Sequence, residues 1–307
     1  MMRRKVWQPV FTLLIILFTF GHLVDCDLLL YAEVQQKKIY EMSVEELDSL
    51  IRWVDKQPWS NAEKIVFYSE LFLDMPYKLL CMGDGPYARY DTAPLMNFEK
   101  INCMTYCEEM LAFSLSRTYE EMFNVLQHIR YYGGVIGMNT RKHYTMVDWL
   151  PGNKWCLRDV SKSIGGKYAY KLTRTIKHGE FFKDKGLTDV YPVLPDRTFT
   201  IYYIPKEHLL DVVDKIHSGD IIALIQDKPG IFSAHMGLII KKGDEVVFRH
   251  APMSKGKVLD ERFDEYVEVL KKYEKLLGMS FMRVREKIEW VGYRTTHGRM
   301  MLELLTK

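Results

Sequence analysis

Cys103 follows Asn102, a residue type favoured at the N-cap, so its thiol is expected in the first turn of a helix over 103–116. There the free backbone N–H groups and the helix dipole favour negative charge, which lowers a thiol pKa and supplies a thiolate. The same N–H groups can face the oxyanion formed by attack on a carbonyl. Cys107 falls one turn further along, beside Met104, Met110 and Leu111, and reads as core. Two histidines complete the set. The runs 235–240 and 245–250 flank Lys241-Lys242-Gly243-Asp244, which predicts a hairpin. A two-residue turn at Lys242-Gly243 sets His235 directly opposite His250. A turn at Gly243-Asp244 shifts the pairing but keeps both imidazoles on one face, whereas an odd-numbered turn would separate them. A thiol with a base oriented by a second polar side chain is what a cysteine nucleophile requires. Cys103, Cys107, His235 and His250 are also zinc-ligand types, but they lack the usual finger spacing. No metal or cofactor is expected.

The elements that must position these groups are readable in outline. Ser43-Val44-Glu45-Glu46 is a capping box that opens a helix through Leu47, Leu50, Ile51 and Val54. Asn61 is expected to cap a second helix, with Ile65, Tyr68, Leu71 and Phe72 at helical spacing before Pro76. Gly83-Asp84-Gly85-Pro86 is loop chemistry, and Thr118-Tyr119-Glu120-Glu121 opens a helix that should end near Gly133-Gly134. The second half changes character. Strands are expected over 198–204, 220–225, 235–240, 245–250 and 281–285, with helices from Pro205 to Ile216 and from Asp260 to Leu277. Helices first and an antiparallel sheet later make an α+β domain. The tail from Glu286 to Lys307 has no clear pattern.

Composition narrows the function. The chain has 307 residues, 48% hydrophobic and 27% charged, with a net charge of +3, which offers no footprint for nucleic acid. Arg3-Arg4-Lys5 followed by the apolar run 10–20 looks like an export signal, too short to span a bilayer. Leu23-Val24-Asp25-Cys26 resembles a lipobox apart from Asp25, so Cys26 is a candidate for lipidation and the only other route to a membrane. The five cysteines, Cys26, Cys81, Cys103, Cys107 and Cys156, do not make the dense, even set of a disulfide framework. The expected layout is a signal over 1–26 and one catalytic domain over 27–307, acting as a monomer in a bacterial cell envelope.

The ordered motifs Met75-Pro76-Tyr77, Asn102-Cys103-Met104-Thr105-Tyr106, Ser233-Ala234-His235-Met236-Gly237 and Arg249-His250-Ala251-Pro252 resemble the NlpC-type papain-like cell-wall hydrolases. Ile129-Arg130-Tyr131, Arg141-Lys142-His143-Tyr144 and Asp148-Trp149 resemble, more narrowly, the N-acetylmuramoyl-L-alanine amidase-like branch. The resemblance covers about residues 68–266. It implies a papain-like core, with the helix bearing the cysteine packed on an antiparallel sheet and an N-terminal helical extension. It implies Cys103 as nucleophile, His235 as general base and then acid, and His250 as the group that orients it. Tyr77 would help shape the oxyanion site, and Arg141 and His143 would touch sugar or peptide. The implied substrate is a peptidoglycan fragment, an anhydromuropeptide cut between muramic acid and L-alanine. Asn102 stands where the family has aspartate, and Met236 where it has valine. Cleavage within the stem peptide, a silent envelope-binding module and acyl transfer are the competing readings.

Overall fold

A computed structural model of the chain describes residues 37–289. The expected export signal, Cys26 and most of the tail lie outside the described residues. Four helices come first. Helix α1 (Val44–Asp55) is capped by Ser43 in the predicted box with Glu46, and its buried stripe is Leu47, Leu50, Ile51 and Val54. Helix α2 (Asn61–Leu71) is capped by Ser60 rather than Asn61, because Ser60 and Glu63 form a second box and leave Asn61 at N1. Helix α3 (Cys103–Ser114) is the buried one, and α4 (Tyr119–Arg130) is capped by Thr118. It ends at Arg130, short of the expected glycines, because Tyr131 turns extended. An aromatic layer of Tyr68, Phe72, Tyr106 and Phe113 joins α2 to α3, with Tyr68 and Phe113 centroids 4.8 Å apart.

A π-helical turn over Thr145–Trp149 leads to β1 (Leu157–Asp159), α5 (Ser161–Gly165), β2 (Tyr170–Ile176), α6 (His178–Asp184) and β3 (Arg197–Pro205). Then come β4 (Ile221–Lys228), β5 (Ile231–Lys242), β6 (Glu245–His250), β7 (Leu259–Arg262), α7 (Phe263–Lys271) and β8 (Leu276–Val284). The eight strands form one sheet in the order β2-β3-β8-β4-β5-β6-β7, with β1 on β8, and every pairing between them is antiparallel. The fold is α+β, as expected. Ile222, Leu224, Ile239, Phe248, Met279 and Phe281 pack with Phe263, Val267 and Leu270 of α7 in one buried cluster. Among the described residues no helix is long and apolar enough to cross a membrane.

Two expected helices change and one strand is unforeseen. The segment after Pro205 makes two short 3-10 turns, Lys206–His208 and Leu210–Lys215, instead of one helix. The charged stretch from Asp260 is not helical at its start. Its first residues form β7, the helix runs only over Phe263–Lys271, and β8 begins at Leu276. Strand β2 escapes a pattern search because Lys171, Thr173 and Thr175 face solvent and Leu172 and Arg174 are only half-buried.

The β6–β7 pair is locked from behind. Arg249, wholly buried, lies directly opposite Asp260 and meets it bidentately at 2.6 and 2.8 Å. The same guanidinium donates to Ser69 Oγ at 2.9 Å and pairs with Glu70 at 2.7 Å, both on α2. Removing one side of such a buried pair strands the other charges. Arg249→Leu is therefore expected to lower the unfolding free energy by about 3–5 kcal/mol, measured by urea denaturation; a change within about 0.5 kcal/mol would contradict this.

Candidate active site

Asn102 has extended backbone (φ −126°, ψ 176°), and its Oδ1 accepts the N–H groups of Met104 (2.9 Å) and Thr105 (3.0 Å). Thr105 Oγ1 in turn accepts the Asn102 N–H at 3.0 Å, which closes a capping box without a carboxylate. The amide adds what an aspartate could not. Its Nδ2 donates to Leu79 O at 2.9 Å and to Cys81 Sγ at 3.4 Å, tying the segment after Tyr77 to the head of α3. Tyr77 itself is held by a parallel bridge to Ile101 and donates its N–H to Gly256 O at 2.7 Å. Burial pushes its phenol up, and the thiols of Cys103 and Cys81 beside it add to the shift.

Cys103 is partly buried at the first position of α3. Burial pushes its thiol up, against the backbone N–H groups of Met236, Met104 and Cys103 itself, which favour the thiolate. The helix-terminus donors expected from the sequence are thus present, but desolvation outweighs them. The Met236 N–H places the sulfur against β5, at the residue next to His235.

The hairpin uses the Gly243-Asp244 turn. Lys242 pairs with Glu245, and Gly237, rather than His235, lies opposite His250. Both imidazoles stay on one face, and His235 Nε2 and His250 Nδ1 are 2.8 Å apart. Burial holds both rings well below the ordinary histidine value. Phe248 stacks on His250 at 4.2 Å, and Tyr266 of α7 meets it edge-on at 5.5 Å. Gly237 makes this packing possible. A Cβ there would lie 2.5 Å from the Phe248 ring and 2.7 Å from His250 Cβ.

Cys103 thus lies beside Tyr77 and against the residue next to His235, whose ring pairs with His250. Arg141 and His143 lie in a neighbouring segment that reaches β5 through Thr145, whose Oγ1 donates to Met236 Sδ at 3.3 Å. Arg141 pairs with Asp84 and, at 2.7 Å, with Asp91, clamping the loop over 84–91. His143 donates Nε2–H to Met138 O at 2.7 Å and packs against Phe181 and Phe182; burial lowers it to about 4. Between them Lys142 is buried, donating to His128 O (2.6 Å) and Asn153 Oδ1 (2.8 Å). Asp148, also buried, takes His178 Nε2 and Arg197 Nη2, each at 2.9 Å. Among the described residues no group of three or more His, Cys, Asp and Glu side chains is arranged to hold a metal ion. Cys81, Cys107 and Cys156 are buried thiols.

One polar contact was invisible in the sequence: Glu261 Oε2 lies 2.7 Å from His250 Nε2. Reading residues from Asp260 as helix hid it, since only a strand at 259–262 sets Glu261 beside His250. The sole hint was the Leu-Asp-Glu-Arg run before Phe263.

The N-acetylmuramoyl-L-alanine amidase-like (AmiA-like) family model matches residues 67–273, most of the chain. The chain belongs to this family. The fold of this amidase-like protein is also that of solved structures. A Legionella pneumophila protein matches with a TM-score of 0.71 at 24% identity, over 80% of this chain and 95% of its own. A Bacteroides uniformis N-acetylmuramoyl-L-alanine amidase matches with 0.60 at 24%, over 73% and 99%. A putative xylanase from Bacteroides fragilis matches with 0.57 at 26%, over 72% and 99%. No functionally curated protein matches the amidase-like sequence significantly.

Two outcomes are expected. With the thiol pushed up and the imidazoles down, the resting pair is thiol and neutral imidazole. Iodoacetamide should alkylate Cys103 at a rate that climbs with pH through and beyond about 8.5; a plateau already reached at pH 5–6 would show a thiolate–imidazolium pair instead. Gly237→Ala should push the Phe248 and His250 rings aside and lower turnover by about tenfold or more, and turnover equal to the parent's would contradict the packing argument.

Proposed function

We propose that this protein is a cysteine amidase that hydrolyses the bond between N-acetylmuramic acid, in its anhydro form, and L-alanine in peptidoglycan fragments. The observation that carries the reading is the thiol of Cys103, set at a capped helix start against the strand of a hydrogen-bonded His235–His250 couple. The family supports an amide in peptidoglycan as the target. The site gathers a thiol and imidazoles, not the paired carboxylates that glycoside hydrolysis uses. In the same reading the core is papain-like, and residues 1–26 export the protein to the cell envelope, with or without a lipid on Cys26.

The proposed steps use these groups in turn. Cys103 Sγ attacks the lactyl carbonyl while its proton passes to His235 Nδ1. The oxyanion rests on the Cys103 backbone N–H, with Tyr77 beside it. The His235 imidazolium protonates the departing amine of L-alanine as the C–N bond breaks, leaving a thioester on Cys103. Water, deprotonated by His235, then hydrolyses the thioester and restores the thiol. Arg141, which holds the loop over 84–91, and His143 would touch sugar or peptide.

The test is mass spectrometry of products after incubating the purified protein with anhydromuropeptides, alongside Cys103→Ala and His235→Ala. Free peptide beginning at L-alanine, lost in both variants, is the expected result. Cleavage inside the stem would make the protein an endopeptidase. No cleavage by a folded parent protein would overturn the hydrolase reading.

A further inference from the structure

Glu261 stands at the outer end of a hydrogen-bond chain that begins at the candidate base. On β7 it lies opposite Phe248, and His250 lies opposite Leu259. Period-two alternation therefore puts Glu261 on the same face of the sheet as His250, one diagonal step away, while Arg249 and Asp260 occupy the other face. The distances are 2.7 Å from Glu261 Oε2 to His250 Nε2 and 2.8 Å from His250 Nδ1 to His235 Nε2. The His250 side chain is 2% exposed and that of Glu261 32%, so the chain runs from a buried ring to the solvent edge.

A carboxylate can only accept a hydrogen bond, and that fact gives the chain a direction. His250 must donate Nε2–H to Glu261, which leaves its Nδ1 bare. His235 must then donate Nε2–H to that Nδ1, which leaves the lone pair of His235 on Nδ1, the nitrogen free to take the proton of Cys103. Without the acceptor at 261 the opposite arrangement becomes equally available. His250 Nδ1–H would donate to His235 Nε2, and His235 would present an N–H to the thiol and could not act as base.

We propose that Glu261 is a positioning residue of this site, which sets the tautomer of both imidazoles and balances the positive charge that forms on them during catalysis. The proposal rests on Cys103 and His235 being the reacting pair. The balance is needed because His250 is buried and His235 partly so, where an uncompensated imidazolium is costly. Other charged or titratable groups among the described residues also lie near the two rings. Asp260 is engaged by Arg249 and by Lys242 at 3.0 Å, Lys255 adds positive charge near His250, and the Tyr266 phenol lies near both His250 and Glu261. Glu261 supplies the negative charge that touches the chain.

Glu261→Gln keeps the size but can both donate and accept, so it removes the charge and the direction together. Expected for Glu261→Gln is a kcat lowered about 30- to 100-fold with KM within about twofold, and an acid limb of kcat/KM moved to lower pH, because an imidazolium without its counter-charge loses its proton more readily. Glu261→Asp should recover most of the loss. Imidazole nitrogen NMR gives a readout independent of any substrate: His235 Nδ1 should be unprotonated in the parent protein and a mixture in Glu261→Gln. An unchanged pH limb with parental kcat would overturn the proposal, as would parental imidazole resonances in Glu261→Gln. A loss shared equally by Glu261→Asp and matched by a fall in unfolding temperature would also overturn it. Hydrolysis surviving in Cys103→Ala would remove the nucleophile assignment and this proposal with it. Loss in Cys103→Ala alongside an indifferent Glu261→Gln would sink the proposal alone.

Discussion

The register of the β5–β6–β7 meander is the constraint on which the rest of the site depends. Side chains alternate along a strand, so each pairing decides which residues share a face. With Lys242 opposite Glu245, His250 falls on the face of His235, and with Arg249 opposite Asp260, Glu261 falls on the face of His250. A slip of one residue in either pairing would carry an imidazole or a carboxylate to the far side of the sheet. Two fasteners hold the register: the tight turn at Gly243-Asp244, where Gly243 adopts φ 61°, and the buried Arg249 fork that binds β7 and α2 at once.

The helix half of the site is built by different means. Asn102 orders the start of α3 through its oxygen and the neighbouring Leu79 segment through its nitrogen. The thiol therefore sits where the capped helix meets strand β5 at Met236. Burial then sets its chemistry. Desolvation pushes the Cys103 thiol up and the His235 imidazole down, so both shifts favour the neutral forms.

What could be read from the sequence followed from local rules. The Asn102 cap, the helix it opens and the hairpin carrying two histidines each depend on a few adjacent residues, and the two even-turn registers were both foreseeable. Long-range pairing was not. A stretch of Leu-Asp-Glu-Arg ahead of an amphipathic helix looks helical in isolation, and only its partner β6 makes it a strand, so Glu261 stayed hidden. Arg141 and His143 stood out as polar and potentially ligand-facing, yet sequence gave no sign that Asp84, Asp91 and the Met138 carbonyl hold them. Burial of the thiol, which reverses the effect expected of a helix start, is likewise a property of the assembled layers.

Gly237 bears on how such chains diverge. The space a side chain would need there is filled by the Phe248 ring, the Arg249 carbonyl and the Cβ of residue 250, atoms that any successor to His250 other than glycine would also largely supply. Substitutions at Cys103 or His235 would leave that packing in place, so the sheet would still demand glycine at 237. A glycine two residues after the strand's histidine position thus marks the architecture of the hairpin, independently of any chemistry done beside it.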